Sequence, residues 1–151
     1  MTHHELFTHY VDHCRKTLAD HSRAQRFLGH NGVDQGFVSE TFLLGFADGS
    51  IRDYACENEQ LRAELEEAGL LRNGKELLQG CLTVPVLDEN KEPVNIVGYS
   101  INAQTKERMI FLRPDGFFNA PFLKNCTDVI LTDAPLTALM LIASDVPNTS
   151  F

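Results

Sequence analysis

All six histidines fall within the first 30 residues, and His9 and His13 stand four apart, a spacing that lets two imidazoles on one helix face share a metal ion. No third ligand is fixed by spacing. The apolar face of the same segment runs through Phe7, Tyr10, Val11 and Cys14, so a solvated helix face is the competing reading for the two histidines. A cysteine nucleophile beside a base could be assembled from Cys14 or Cys56, but nothing local specifies one, and a buried free thiol explains either residue. Asp133 is more telling. It follows the apolar run Asp128-Val129-Ile130-Leu131-Thr132 and precedes a helical run, and the carboxyl end of a strand is where α/β sheets present reactive groups. There it could hold Mg²⁺, which needs further carboxylates and substrate phosphates, yet the next carboxylate along the chain is Asp145. A helix cap is the plainer role for such an Asp. The sequence has no Gly-rich phosphate loop, GxSxG elbow or HExxH pair.

The elements that must position these residues change character along the chain. Leu6, Phe7, Tyr10, Val11, Cys14 and Leu18 recur at three- and four-residue spacing and predict a helix over residues 5–19. A shorter helix carries Ala24, Phe27 and Leu28 and is closed by Gly29 and Asn31-Gly32. A third holds Phe37, Val38 and Phe42 before Gly45-Phe46-Ala47-Asp48-Gly49 breaks the pattern, and Ser50 starts another. Residues 57–69 form a helix with Leu61, Leu65 and Ala68 on one face, ended by Gly69. After Leu77 the period becomes two. Residues 82–87 and 94–101 flank the polar turn 88–93 as an antiparallel hairpin, with Pro85 marking an edge or irregular position. Residues 108–112 make a third strand, and residues 128–132 a buried fourth followed by the helical run 136–143. The expected class is α+β: N-terminal helices packed on a small, mainly antiparallel sheet.

Composition bounds the rest. With 151 residues the chain suits one domain, subdivided on this pattern into a helical region over residues 1–76, a sheet region over 77–127 and a strand-helix unit over 128–151. Thirteen Lys plus Arg against 21 Asp plus Glu leave a net charge of −8, so attraction to nucleic acid or anionic lipid must come from a local patch. Four scattered cysteines without a CxxC pair argue for a reducing cytoplasm, and neither a signal peptide nor a membrane segment is expected.

The order of segments resembles the amino-terminal portion of the RNA polymerase core of bacterial DnaG-type DNA primases. The resemblance is carried by SRAQRFLGHNGVDQGFVSETFLLGFADG at 22–49, LRAELEEAGLL at 61–71, the hairpin LTVPVLDENKEPVNIVGYSI at 82–101 and GFFNAP at 116–121. VILTDAPLTALML at 129–141 is similar to the opening strand and helix of a Toprim fold, which makes the last segment an incomplete Toprim-like unit. The resemblance implies a catalytic acid and Mg²⁺ ligand at Asp133, Mg²⁺ as cofactor in a complete parent protein, and a groove for single-stranded DNA template. Departures fall on the chemistry: Asp133 stands for the family's Glu, Ala134-Pro135 replaces a Gly-Tyr pair, Thr137 replaces an acid, and Gln79, Cys81, Asn102 and Gly116 replace cations.

One Asp cannot supply the carboxylates of a two-metal phosphoryl transfer, so the isolated chain is expected neither to polymerise nucleotides nor to carry a cofactor. Lys106, Arg108, Arg113 and Lys124 are the candidate phosphate contacts, opposed locally by Glu107 and Asp115. Phe111, Phe117, Phe118 and Phe122 interleave with them and could stack bases, although Phe at that density is ordinary for a core. Two functions follow: a wall of a template groove in primer synthesis, or a degenerate module that binds a protein partner or a second copy. If the chain is cut from a longer one, Leu139 and Ile142 are expected to be exposed.

Overall fold

In a computed structural model, which describes every residue except Gln35, the chain opens with a reciprocal helix cap. Thr2 Oγ1 accepts from the Glu5 N–H at 3.2 Å while the Glu5 carboxylate accepts from the Thr2 N–H at 2.7 Å. That start fixes α1 (His3–Asp20), whose buried stripe is Leu6, Phe7, Tyr10, Val11, Cys14 and Leu18. Next comes α2 (Ser22–His30), capped by His21 Nδ1, which accepts from the Ala24 N–H. It runs through Gly29, and Gly32, at φ +67°, makes the left-handed turn beyond it. α3 (Gly36–Thr41), β1 (Gly45–Ala47), α4 (Ile51–Glu57) and α5 (Glu59–Glu67) complete the helical half. A small hairpin, β2 (Leu71–Arg72) with β3 (Lys75–Glu76), leads into the sheet.

That sheet has four antiparallel strands in the order β1, β4 (Cys81–Leu87), β5 (Pro93–Ser100), β6 (Met109–Phe111). Alternate side chains fill two cores. On one side Cys81, Ala47 and Ile96 pack with α1, α4 and α5; on the other Leu82, Val84 and Tyr99 pack with α2, α3 and the C-terminal helix. After β6 come α6 (Ala120–Leu123), β7 (Ile130–Leu131), α7 (Pro135–Ala143) and β8 (Thr149–Ser150), with β7 and β8 paired in parallel across α7. The class is α+β, as expected.

Of four local expectations, three need correction, while the edge or irregular position expected of Pro85 holds. Residues 45–49 read in sequence only as a break in the helical pattern, but Gly45–Ala47 is a strand paired with Thr83–Cys81. Gly45 makes this possible, because a Cβ there would stand 2.6 Å from Cys14 Cβ and 2.7 Å from Thr83 Oγ1, so only glycine lets α1 lie this close to the sheet. Pro85 lies on an internal strand, opposite Ile96; it is tolerated because β1 pairs only as far as Thr83, leaving that flank of β4 without a ladder partner. The strand at 128–132 is not buried: Ile130 and Leu131 are exposed on a two-residue strand with a partner on one edge. Leu139 and Ile142 are not exposed, since α7 turns them onto the core containing Phe42 and Phe118. Among the described residues, no helix is long and apolar enough to cross a membrane.

Candidate nucleic-acid interface

The four candidate cations do not converge. Arg108 lies just before β6, where its guanidinium donates to Tyr99 Oη at 3.4 Å and to the Ala103 carbonyl at 3.2 Å; Lys106 stands exposed in the same loop. Arg113 lies past the other end of β6, roughly 15 Å away along extended chain. Its guanidinium covers the Phe7 ring at 5.0 Å and reaches His3 Nδ1 at 3.5 Å, so some of its surface is committed to α1. Lys124 closes α6 and pairs with Glu89 of the β4–β5 turn at 3.2 Å, an exposed ion pair that a phosphate could displace. A further cleft of about 1010 Å³ lies between α1, α2 and α3, its walls carrying Arg15, Lys16 and Arg26 against Asp12, Asp34 and Glu40, with Arg15 held to Glu40 at 2.7 Å. Sequence reasoning missed it, since its cations come from two helices and are clustered only by folding.

The aromatic residues divide. Phe118 is core, its ring 4.9 Å from that of Phe42 and stacked 4.7 Å from that of Phe151. Phe111, Phe117 and Phe122 are exposed at 53%, 74% and 46%, so the core reading fails for these three and their faces are open to a ligand. For Phe111 and Phe122 the cause is local: β6 is the edge strand of the sheet, and the single turn of α6 buries none of its residues.

Asp133 occupies the bend between β7 and α7 and is exposed. The N-cap position of α7 falls to Ala134 and no side chain caps that helix, so the cap reading of Asp133 does not hold either. Among the described residues no group of three or more His, Cys, Asp or Glu side chains could hold a metal ion. The residues present therefore do not fit Mg²⁺ by themselves. His9 is exposed, while His13 Nε2 shares a hydrogen bond with Ser50 Oγ at 2.9 Å and its ring meets Tyr54 edge-on; burial holds its pKa below the usual value. The pair does not assemble a metal site.

Neither cysteine is set up as a nucleophile. Cys14 is buried beside Tyr10 and Thr83, and burial pushes its thiol pKa far up, which keeps it protonated and inert; Cys56 is exposed with no activating partner beside it among the described residues. Tyr10 Oη donates to Glu76 Oε1 across the same buried pocket. Burial raises the Glu76 carboxyl above its ordinary value, against the opposing hydrogen bonds from Tyr10 and the Gly49 backbone, with a smaller upward push from the charge of Asp48. These groups lie in a closed core rather than in a cleft.

No family model matches the chain, and no curated protein matches it. Solved structures do. The E. coli primase catalytic core superimposes with a TM-score of 0.84 at 13% identity, over 99% of this chain and 54% of that one. The zinc-binding and RNA polymerase domains of Aquifex aeolicus primase give 0.79 at 21% identity, over 97% and 40%. A DnaG primase catalytic domain bound to single-stranded DNA gives 0.82 at 13% identity, over 97% and 52%. The chain thus spans about half the length of the solved chains first matched. At these identities the likeness establishes architecture: the chain has the fold of the DnaG primase catalytic core over nearly its whole length.

Proposed function

We propose that this chain forms one wall of a template groove in a primase-like protein and contacts single-stranded DNA there, without completing nucleotidyl transfer from its own residues. The observation that carries the reading is the match over 97% of the chain to a primase catalytic domain solved with single-stranded DNA. Lys106, Arg108, Arg113 and Lys124 serve as phosphate contacts in this reading, and Asp133 contributes a single carboxylate. Mg²⁺ chemistry would need further carboxylates from elsewhere in a complete parent protein. The segment 128–151 would then be the start of a Toprim-like unit, and the reducing cytoplasm the place of work.

Fluorescence anisotropy of a labelled oligo(dT) at about 50 and 200 mM salt tests the reading. Binding that falls steeply with salt is expected, with Lys106→Ala and Lys124→Ala each lowering the salt slope by about one. No binding at the lower salt overturns it. A second reading is a non-catalytic module that docks another protein or a second copy, favoured by the exposed apolar side chains of Val129, Ile130, Leu131 and Met140. A sedimentation series showing a dimer that Leu131→Asp dissociates would bring that reading to the front.

A further inference from the structure

A second cleft, of about 610 Å³, opens between α3, β4, α6 and α7. Phe37 and Phe122, 56% and 46% exposed, line it together with Pro85 and Pro121, two rings of fixed backbone that give the wall little freedom to collapse. Lys91 stands on the same lining. It is presented by a tight turn in which Asp88 Oδ1 accepts from the Asn90 and Glu92 N–H groups at 2.8 and 3.0 Å, and it has no ionic partner among the described residues. Of the carboxylates on this lining and turn, Glu40 is held by Arg15, Glu89 by Lys124, Asp88 Oδ1 by the turn N–H groups, and Glu92 lies 3.4 Å from His4 Nε2. What remains open is two aromatic faces and a cation, a set that complements a flat base joined to phosphate and offers little to a basic peptide.

We propose that this cleft is a base-stacking site for single-stranded nucleic acid, in which Phe37 and Phe122 take a base and Lys91 meets a flanking phosphate. The inference rests on the template-binding reading above and locates where one base of that strand is held. Stacking is indifferent to base identity, so the site would grip a strand without reading its sequence.

The experiment compares labelled oligo(dT) with an oligonucleotide of the same length that is abasic at every position, on the full chain. The parent is expected to prefer oligo(dT). Phe37→Ala and Phe122→Ala should each weaken oligo(dT) binding about five- to a hundredfold, leave abasic binding and the salt slope unchanged, and so erase the preference. Lys91→Ala should weaken both ligands and lower the slope by about one. Both phenylalanines are exposed, so circular dichroism of the variants should match the parent. Oligo(dT) binding within twofold of the parent in the double phenylalanine variant overturns the cleft while leaving the template reading intact. If that variant also loses bis-ANS binding, the cleft belongs to an apolar protein segment instead. A parent that binds neither oligonucleotide overturns the template reading itself, and the cleft assignment with it.

Discussion

The two sides of the sheet are filled by different means. Against α1 the core contains polar groups, Tyr10, Cys14, Glu76 and Thr83, with Tyr10 Oη donating to Glu76 Oε1 and the Cys14 thiol lying against Tyr10 and Thr83. On the far side the buried polar groups are all tied to backbone: Asn119 Nδ2 donates to the Pro147 and Thr149 carbonyls, Thr149 Oγ1 to the Val146 carbonyl and Ser150 Oγ to the Phe118 carbonyl. Those bonds lash β8 and its neighbours around a stacked set of rings, Phe42, Phe118 and Phe151. The first core should therefore respond to proton concentration, and the second only to lost volume.

The sharpest test of that contrast is Phe118→Ala. Phe118 is 1% exposed, stacked on Phe151 and tilted against Phe42, so its removal should cost about 3–5 kcal/mol, read by urea unfolding, with no change in the pH dependence of stability. A loss under about 1 kcal/mol would mean that the ring stack is not a core. Second in size is Gly45→Ala, on the other side. The added methyl meets Cys14 Cβ and its backbone carbonyl carbon within 2.7 Å, so α1 must lift, at about 1–3 kcal/mol by the same measurement. Replacing Cys14 with Ala leaves the backbone contact in place and should restore little of it.

Much of this architecture is legible in the sequence. α1 reads directly because six apolar residues recur at helical spacing, five of them meeting one core and Leu18 the other, and the β4–β5 hairpin reads because the period of two continues on both sides of a polar turn. β1 does not read: three residues are too few for a period, and Gly45 resembles a stop until Cys14 and Thr83 are seen pressed against it. The 128–132 strand misleads because Val, Ile and Leu in a row resemble a strand covered on both faces, whereas burial depends on layers that so short an apolar run cannot announce. For the site, residue types carried the candidates, but their grouping was out of reach. Phe37, Lys91 and Phe122 share a cleft although 31 or more residues separate each from the next.

The proton-sensitive side yields the third prediction, smaller than the first two. Glu76 has a folded pKa above its ordinary value, so the native state binds its proton more tightly than the unfolded chain does. Stability from this group is then complete below the unfolded value of about 4.5 and is lost as pH rises toward the raised folded value, at no more than about 1.4 kcal/mol per pH unit for one proton. Glu76→Gln keeps an acceptor for Tyr10 Oη and cannot ionise, so its stability profile should be flatter than the parent's across that window. Parallel profiles for the two proteins would show that Glu76 does not titrate during unfolding. Tyr10 and Cys14, both pushed upward by burial, stay neutral throughout the window and do not blur the comparison.

The smallest effect belongs to a region outside both cores. Leu131 is 74% exposed on β7, whose hydrogen bonds reach β8 through the Ile130 and Thr132 N–H groups and leave the opposite edge without a strand. Leu131→Lys removes no buried contact within the chain, so the unfolding free energy should stay within about 0.5 kcal/mol of the parent at low protein concentration. At high concentration the two should part, because a short apolar strand with a free edge favours self-association and a lysine there opposes it. A stability loss above about 1 kcal/mol at low concentration would place Leu131 in a packed interface and would move β7 from the open region of the molecule into its second core.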